Sequence, residues 1–399
     1  MTNLFALRRK IIITCSNRLA PWLEKEIIEL GYTPVSRFKT GIGLLGTLED
    51  CMKLNMQLRC ASQILFLAYQ ATARTGEELY RAALQMDWEN IIPGSGYFSI
   101  TSQVNNLSVN TELYANVKLK DAIADRFRKV TGKRPDSGPL QSNTVIHLYW
   151  QDEQVEIFAD TSGETLAKHG YRRIPGKAPM MESLAAATLL ATRWNRQSPF
   201  INPMCGSSTL AIEAALLSTN RKPGLYRSNY GFMHLVGYTQ PVYNRLRQEL
   251  NEMIVTPDHL KITATDISRD AINISAINAA AAGVGGLIEF SVCSFEATVI
   301  PQGESGVVFF NPEYGERLGD AGELEGTYKA MGDFMKQSCK GYTGYVFTGN
   351  MDLAKKIGLK PDKRIEFYSG KIDCRLLEFS LYEGSRTAKK QASVDPHSG

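Results

Sequence analysis

The 399-residue sequence lacks any apolar run approaching the roughly 18 to 20 residues that a membrane-spanning helix requires. The short apolar stretch at residues 11–13 follows three basic residues, but it is far too short for the apolar part of a signal peptide. We therefore expect a cytoplasmic, unprocessed protein that does not bind membranes.

Metal-ligand and disulfide patterns are also missing. The seven cysteines are odd in number and scattered, without a CxxC pair, and none of the five histidines lies in an HExxH pattern. Disulfide scaffolds and zinc sites depend on such spacings. The sequence therefore predicts reduced thiols and no bound metal.

The chain has little net charge. Its 45 Lys and Arg residues against 41 Asp and Glu residues leave a net charge of +4, too little for binding a polyanion with the whole surface. The apolar fraction of 43% and the mean hydropathy of −0.20 are ordinary for globular proteins, and the length predicts two or three domains. Any nucleic-acid binding must therefore depend on local basic clusters.

One such cluster lies between residues 112 and 134, where seven basic residues face three acidic ones. The basic residues are Lys118, Lys120, Arg126, Arg128, Lys129, Lys133 and Arg134. A second cluster, with Arg172 and Arg173 at its centre, spans residues 168–177 and contains no acid. A solvated helix face and a phosphate-binding surface explain such charges equally well, and the residues alone leave both readings open.

The pattern of helices and strands divides the chain into three domains and a tail. Residues 1–66 and 67–165 each read as a small α+β unit; the second contains a helix at 116–130 and a hairpin of strands at 143–150 and 154–160. From residue 166 to 383, strands alternate with helices, which is typical of a doubly wound parallel sheet, here closed by an antiparallel hairpin. Residues 384–399 are polar and are expected to form a loose tail.

Two turns of the third domain have the chemistry of a ligand site. In an open parallel sheet, ligands bind at the carboxyl ends of the strands. The turn after the first strand consists of small residues whose amides and hydroxyls can approach a ligand closely, and Asp266 after the second strand can accept two hydroxyls of a ribose. The turn residues singled out are Asn202, Pro203, Cys205, Gly206, Ser207 and Thr209.

The most specific segment is Asn311-Pro312-Glu313-Tyr314, which follows the apolar residues 307–310. Such a turn can present side-chain and backbone carbonyls to an exocyclic amine, while the aromatic ring stacks on a flat base. Two acceptors restore sp3 character to the delocalised amine and make it a nucleophile. The segment therefore predicts methylation of a base amine.

The ordered motifs resemble the THUMP-domain RNA guanine-N2 methyltransferases of the RlmL type over residues 5–383. The segments that carry the resemblance are 160–164, 169–172, 178–186, 202–209, 266 and 311–318. The resemblance implies a ferredoxin-like domain, a THUMP domain that grips RNA, and a Rossmann-like methyltransferase domain that uses S-adenosylmethionine. It further implies that Glu182, Asp266 and the turn at 202–209 lie near this donor, whereas residues 311–314 hold the target base.

The sequence departs from this family's pattern at three positions. Glu313 replaces a usual second proline, Ser208 replaces a usual glycine, and Ser294 or Phe295 takes the place of an Asp that often binds the adenine amino group. Glu313 is compatible with hydrogen bonding to a guanine edge and with a changed substrate.

We therefore expect a methyltransferase that modifies an exocyclic amine in structured RNA, with guanine N2 of large-subunit rRNA as the first candidate. A tRNA guanine-N2 enzyme, a DNA adenine-N6 enzyme and an RNA-binding assembly factor without turnover remain alternatives. The sequence leaves the modified nucleotide and the oligomeric state open.

Overall fold

The computed structural model describes residues 4–109, 111–258, 260–301, 303–314 and 321–382. The predicted tail therefore lies outside the described residues. Contacts divide the chain into two compact units. The first contains the residues up to Gly170 together with Lys222–Met253, and the second contains Tyr171–Arg221 together with the residues from Ile254 onward.

The strands and helices are numbered in chain order over the described residues. The strands are β1 (Arg9–Thr14), β2 (Ser36–Phe38), β3 (Gly41–Gly46), β4 (Gln63–Thr72), β5 (Tyr97–Asn105), β6 (Asp136–Ser137), β7 (Thr144–Gln151), β8 (Gln154–Asp160), β9 (Phe200–Pro203), β10 (Ile262–Asp266), β11 (Ile288–Val292), β12 (Val307–Phe310), β13 (Thr343–Thr348), β14 (Lys363–Ser369) and β15 (Ile372–Ser380). The helices are α1 (Ala20–Glu29), α2 (Leu48–Gln57), α3 (Gly76–Leu84), α4 (Glu112–Thr131), α5 (Glu182–Ala191), α6 (Thr209–Ser218), α7 (Gln240–Glu252), α8 (Arg269–Ala281), α9 (Ala321–Ser338) and α10 (Met351–Lys356).

The first unit is built on one sheet with the strand order β2-β3-β1-β4-β8-β7-β5-β6. Strand β4 lies in its middle and pairs antiparallel with β1 on one side and with β8 on the other. The ferredoxin-like and THUMP segments expected from the sequence therefore share a continuous sheet, and the expected division after residue 66 falls inside β4.

Local sequence explains where the helices of this unit begin and end. Helix α2 starts with a capping box, in which the Asp50 amide donates to Thr47 Oγ1 and the Thr47 amide donates to Asp50 Oδ2. Helix α4 starts at the cap Thr111 and ends at Gly132, whose φ of +74° is accessible to glycine without steric strain. The chain therefore leaves α4 directly after its basic last turn.

The second unit contains a sheet with the strand order β11-β10-β9-β12-β13-β15-β14. The five strands from β11 to β13 are parallel, and β15 pairs antiparallel with both β13 and β14. All four residues of β12 and all ten residues of α6 are buried, as expected for a sheet whose faces are covered by helices. The predicted fold class, α+β domains followed by a doubly wound methyltransferase-type sheet, is confirmed.

Helix α7 is the largest element that the sequence reading missed. Its buried residues Tyr243, Leu246 and Leu250 lie at positions i, i+3 and i+7, and a proline stands in its first turn. These patterns are sufficient to predict a helix at this position. Helix α10 and the short strands β2 and β6 were also missed.

Among the described residues, none of the helices combines the length and apolar character needed to span a bilayer.

Candidate active site

The segments of the second unit that were predicted to bind ligands lie together at one edge of its sheet. Strand β9 lies between β10 and β12, and all three run parallel, so their carboxyl ends lie side by side. The sheet order reverses at this point, because β10 follows β9 on one side and β12 is added on the other. A switch point of this kind leaves a crevice above the strand ends, where ligands bind in open α/β sheets.

The turn after β9 exposes its backbone. Met204, Gly206 and Ser208 have φ values of +54°, +57° and +55°, and the Cys205 amide donates to Thr265 O at 2.9 Å. A Cβ atom at Gly206 would meet no described atom within 4 Å. Open space therefore borders the Gly206 peptide, which suits close approach of a ligand.

Ser208 occupies the position where the resemblance noted in the sequence implies a glycine. Its left-handed conformation costs an L-residue roughly 1 to 2 kcal/mol, and the residue is completely buried. The adjacent Ser207 is half-buried, whereas Pro203 is buried as the last residue of β9. The backbone thus adopts the glycine-type turn although Ser208 has a side chain.

Asp266 joins the ends of β9 and β10. Its Oδ2 accepts a hydrogen bond from the Gly206 amide at 2.9 Å, and its Oδ1 accepts one from the Ser268 amide at 2.9 Å. The Ser275 hydroxyl on α8 donates to Gly206 O at 2.9 Å and so fixes the carbonyl of the same glycine. A carboxylate has about four acceptor positions, so Asp266 retains capacity for hydroxyl donors.

The thiol of Cys205 has no role as a nucleophile in this arrangement. Burial raises the pKa of Cys205 to about 12, so the thiol stays protonated at neutral pH. The residue serves the turn through its backbone, since its carbonyl also accepts from the Ser208 amide at 2.8 Å.

Arg172 differs from its predicted role as a phosphate-binding residue. Its guanidinium donates to Glu182 Oε1 at 3.1 Å, to the Met180 carbonyl at 2.7 Å and to Thr209 Oγ1 at 3.1 Å. The side chains of Arg172 and Glu182 are only 12% and 4% exposed. The buried carboxylate of Glu182 orients the arginine inward, toward the first residue of α6.

The neighbouring Arg173 has a different environment from Arg172. It is exposed, and its backbone amide donates to Asn278 Oδ1 at 2.8 Å. Asn278 is buried on α8 and also accepts from the Ile174 amide at 3.0 Å. This role of Asn278 was not predicted from the sequence. An Asn within the apolar pattern of a helix is the signal that could have indicated a buried polar contact.

Two amide side chains lie at the ends of β9 and β12. Asn202 is buried and its Nδ2 donates to Phe309 O at 2.9 Å. The Oδ1 atoms of Asn202 and Asn311 are both buried and have no hydrogen-bond partner among the described residues. A buried acceptor without a donor costs about 1 to 3 kcal/mol, so a hydrogen bond from an N–H donor would stabilise either oxygen.

The rest of the Asn311–Tyr314 segment is anchored on its backbone side. The buried Tyr328 hydroxyl donates to Glu313 O at 3.2 Å and contacts Thr348 Oγ1 at 2.9 Å. The Tyr314 ring packs edge-on against Phe347 with ring centres 6.2 Å apart, and burial raises the pKa of Tyr314. Pro312 is buried, Tyr314 is half-buried and Glu313 is exposed.

Ser294 follows β11 at the same edge of the sheet. It is half-buried, and its carbonyl accepts from the Ala297 amide at 3.0 Å. The ring of the neighbouring Phe295 packs edge-on against Phe310 and Phe334, with ring centres 6.0 Å apart in each pair. Both residues are half-buried, but the Phe295 ring packs against the hydrophobic core, so Ser294 is the better candidate for a contact with the adenine of the donor.

Acids from neighbouring elements neutralise two basic residues of helix α4 in the first unit. Lys118 pairs with Glu77 at 3.1 Å, and Arg126 pairs with Asp87 at 2.5 Å and with Glu89 at 2.6 Å. The local charge excess counted from the sequence is therefore smaller in the fold, and Arg126 is a structural residue rather than an open phosphate contact.

The remaining basic residues of this region are exposed to different degrees. Arg128 is exposed but pairs with Asp125 at 2.9 Å, and Lys120 is half-buried. Lys129, Lys133 and Arg134 are exposed, and the structure records no side-chain partner for them among the described residues. These three residues, which we call the basic end of α4, are the strongest remaining candidates for phosphate contacts.

Three family models match the chain in the order that the fold implies. A ferredoxin-like domain model of the RlmL type matches residues 10–65, a THUMP domain model matches residues 73–160, and the model of the RMKL-like methyltransferase domain matches residues 169–378. The last match alone covers more than half of the chain.

The chain belongs to the RMKL-like methyltransferase family. It is 33% identical over 383 residues to the ribosomal RNA large subunit methyltransferase K/L of Syntrophotalea carbinolica, which covers 94% of this chain and 54% of that protein. The chain thus spans about half the length of the curated relatives that it matches.

Two solved structures of similar size extend the likeness. SMU.472, a protein described as a methyltransferase and crystallised with SAH, has 27% identity and a TM-score of 0.85, and the match covers 95% of this chain and all of that one. A Listeria monocytogenes protein described as an N6-adenine-specific DNA methylase has 28% identity and a TM-score of 0.84, with coverage of 94% and 96%.

Proposed function

We propose that this protein transfers a methyl group from S-adenosylmethionine to an exocyclic base amine in large-subunit ribosomal RNA, with guanine N2 as the target. The observation that carries the proposal is Asn311 Oδ1 at the end of β12, which is buried and has no partner among the described residues, beside the open turn at Gly206 that follows β9. The Asn311 oxygen suits the N–H groups of an amine, and the open turn at Gly206 suits a small ligand that binds against the backbone. The family membership of the chain supports the same chemistry.

The residues present fit the methyl donor. The space beside Gly206 admits its methionine part, and the free acceptor positions of Asp266 suit the two hydroxyls of its ribose. Ser294 lies at the neighbouring strand end, where a side-chain hydroxyl can meet the adenine. When bound, the donor supplies an electrophilic methyl group on a positively charged sulfur.

The acceptor amine is activated by this chain's own oxygens. Asn311 Oδ1 and the backbone carbonyl of Pro312 accept its two hydrogens, so that its lone pair is no longer delocalised into the ring. The lone pair forms the new N–C bond while the electrons of the S–C bond remain with sulfur, and the amine then loses one proton to water. Tyr314 holds the base by stacking on its flat face.

The target base must leave its stack to reach Asn311, which fits single-stranded or distorted positions in structured RNA. The basic end of α4 and the exposed Arg173 supply positive charge for phosphates, which position an RNA without reading its sequence. The name of the Syntrophotalea carbinolica relative supports large-subunit rRNA over tRNA.

Methylation of adenine N6 in DNA is the second candidate function. It is favoured by one observation, the description of the similar Listeria monocytogenes protein. The Asn311–Tyr314 segment offers the same two acceptors to either amine, so these contacts alone do not distinguish the substrates.

The proposal is tested by incubating the protein with isotope-labelled donor and unmodified transcripts of large-subunit rRNA, tRNA and a DNA duplex. We expect N2-methylguanosine in the rRNA digest, identified by mass spectrometry. Label in tRNA or DNA would support an alternative substrate, and tight rRNA binding without transfer would identify an assembly factor.

The Asn311→Ala variant tests the acceptor role in the same assay. We expect loss of transfer with nearly unchanged donor affinity, because the amide contacts the base rather than the donor. Asn251→Ala, an exposed asparagine on α7, is the matched control and should retain full transfer. Persistent transfer in Asn311→Ala would refute the proposed acceptor.

A further inference from the structure

Glu313 combines a fixed backbone with an exposed side chain. Its carbonyl accepts from the Tyr328 hydroxyl at 3.2 Å, and Tyr328 is fully buried and also contacts Thr348. Its chain neighbours Pro312 and Tyr314 are buried and half-buried. The carboxylate is therefore carried on a rigid part of the site.

No hydrogen bond or ion pair is recorded for this carboxylate among the residues that the structure describes, although many exposed acids of the chain have a basic partner. A carboxylate that is held in an internal salt bridge would not be available to bind a ligand. As far as the described residues go, the Glu313 carboxylate thus retains its capacity to accept hydrogen bonds from a base bound at Asn311.

The bases that carry an exocyclic amine differ in the atom beside it. In guanine the amine at C2 neighbours N1–H, a hydrogen-bond donor. In adenine the amine at C6 neighbours the lone pair of N1, and in cytosine the amine at C4 neighbours the lone pair of N3. An ionised carboxylate only accepts hydrogen bonds, so it attracts the guanine edge and repels the other two.

We propose that Glu313 is a specificity-determining residue, which accepts the N1–H of guanine while Asn311 accepts from the adjacent amine. This inference rests on the proposed function, because it requires a base amine at Asn311. It assigns recognition of the base to the one residue of the Asn311–Tyr314 segment whose side chain is exposed and charged, and it disfavours adenine and cytosine at the same site.

The test uses 2-aminopurine, which keeps the amine at C2 but has a lone pair at N1. The rRNA segment found to be methylated by the wild-type protein is synthesised with guanosine, 2-aminopurine or adenosine at the target position. The initial transfer rate is measured for each oligonucleotide with the wild-type protein, Glu313→Gln and Glu289→Gln. Glu289 is an exposed glutamate on β11 and serves as the matched control.

We expect the wild-type protein to prefer guanosine over 2-aminopurine and adenosine. In Glu313→Gln the preference for guanosine over 2-aminopurine should fall roughly tenfold or more, because the glutamine amide can donate to the N1 lone pair. The intrinsic reactivity of 2-aminopurine cancels when this ratio is compared between variants. Glu289→Gln should keep the wild-type ratio, and both variants should bind the donor as the wild type does.

Two results separate failure of the inference from failure of the proposed function. If guanosine is methylated but Glu313→Gln and Glu289→Gln have the same ratio, Glu313 does not read the base and the inference is overturned. If the wild-type protein methylates no guanosine in rRNA, the proposed function fails and the inference fails with it.

Discussion

The Gly206 amide donates to Asp266 Oδ2 at 2.9 Å, so the carboxylate at the end of β10 fixes the turn that follows β9. The same carboxylate also accepts from the Ser268 amide, at the start of α8. One side chain thus organises two strand ends and a helix at the proposed donor site. Removing it should affect both the shape of the turn and the acceptor for the ribose.

Asp266→Ala should weaken binding of S-adenosylmethionine. Loss of one charge-assisted hydrogen bond costs roughly 1.5 to 3 kcal/mol, which corresponds to about a 10- to 150-fold rise in the dissociation constant. Isothermal titration calorimetry measures this constant directly. Asp270→Ala, at an exposed residue in the first turn of α8, is the control, and equal affinities in both variants would rule out the ribose assignment.

Arg172→Met should destabilise the second unit. The substitution leaves the Glu182 carboxylate buried without its cationic partner, and breaking a buried ion pair in this way costs about 3 to 5 kcal/mol of unfolding free energy. Urea unfolding at neutral pH measures the loss. The exposed neighbour supplies the control, since Arg173→Met should change stability by only about 0.5 kcal/mol.

The double variant Arg172→Met/Glu182→Gln should recover part of that stability, because the glutamine then buried at position 182 is uncharged. No recovery would mean that the contacts of Arg172 with Met180 O and Thr209, rather than the ion pair, carry its effect.

The basic end of α4 should contribute to RNA affinity. Replacing Lys129, Lys133 and Arg134 by Ala should weaken rRNA binding and reduce the salt dependence of the binding constant by up to about one counterion per lost phosphate contact. Filter binding between 50 and 200 mM salt checks this. Arg126→Ala should leave the salt dependence nearly unchanged, because Asp87 and Glu89 already neutralise this arginine. Equal salt dependences for the triple variant and the wild type would exclude this surface.

The stability of the first unit should depend on the protonation of Asp160. This fully buried residue accepts from the Ser162 and Gly163 amides and from Gln63, and burial raises the pKa of Asp160 from 3.8 to about 7. A raised pKa in the folded state means that the stabilising contribution is complete below about pH 4 and is lost as the pH rises through 7.

Asp160→Asn removes this titration while keeping a side-chain acceptor for the two amides. We expect urea unfolding of the wild-type protein to lose stability relative to Asp160→Asn between pH 5 and pH 8, by at most about 1.4 kcal/mol per pH unit. A difference that stays constant over this range, or that changes in the opposite direction, would contradict the raised pKa.

The sequence predicted the fold class and the placement of the chemical segments well, because both depend on short-range patterns. Apolar alternation located β8 to the residue and β7 to within one residue at each end. The order of Asn202, Asp266 and Asn311 along alternating strands was enough to bring them to one edge, since parallel strands share the direction of their carboxyl ends. The segment 222–253 lies within the third domain expected from the sequence but groups with the first unit, and no local pattern encodes this grouping.

The sequence by itself determined which residue types stand at each strand end, and it predicted that these strand ends lie side by side. Only the tertiary structure decided which charges are used internally: Glu77 and Asp87 lie 41 and 39 residues from the basic partners that they neutralise, and Arg172 turns inward to Glu182. It also decided that Asn311 Oδ1 is buried without a partner among the described residues. Periodicity and turn chemistry act over a few residues, whereas ion pairing and burial depend on which distant segments the fold packs together.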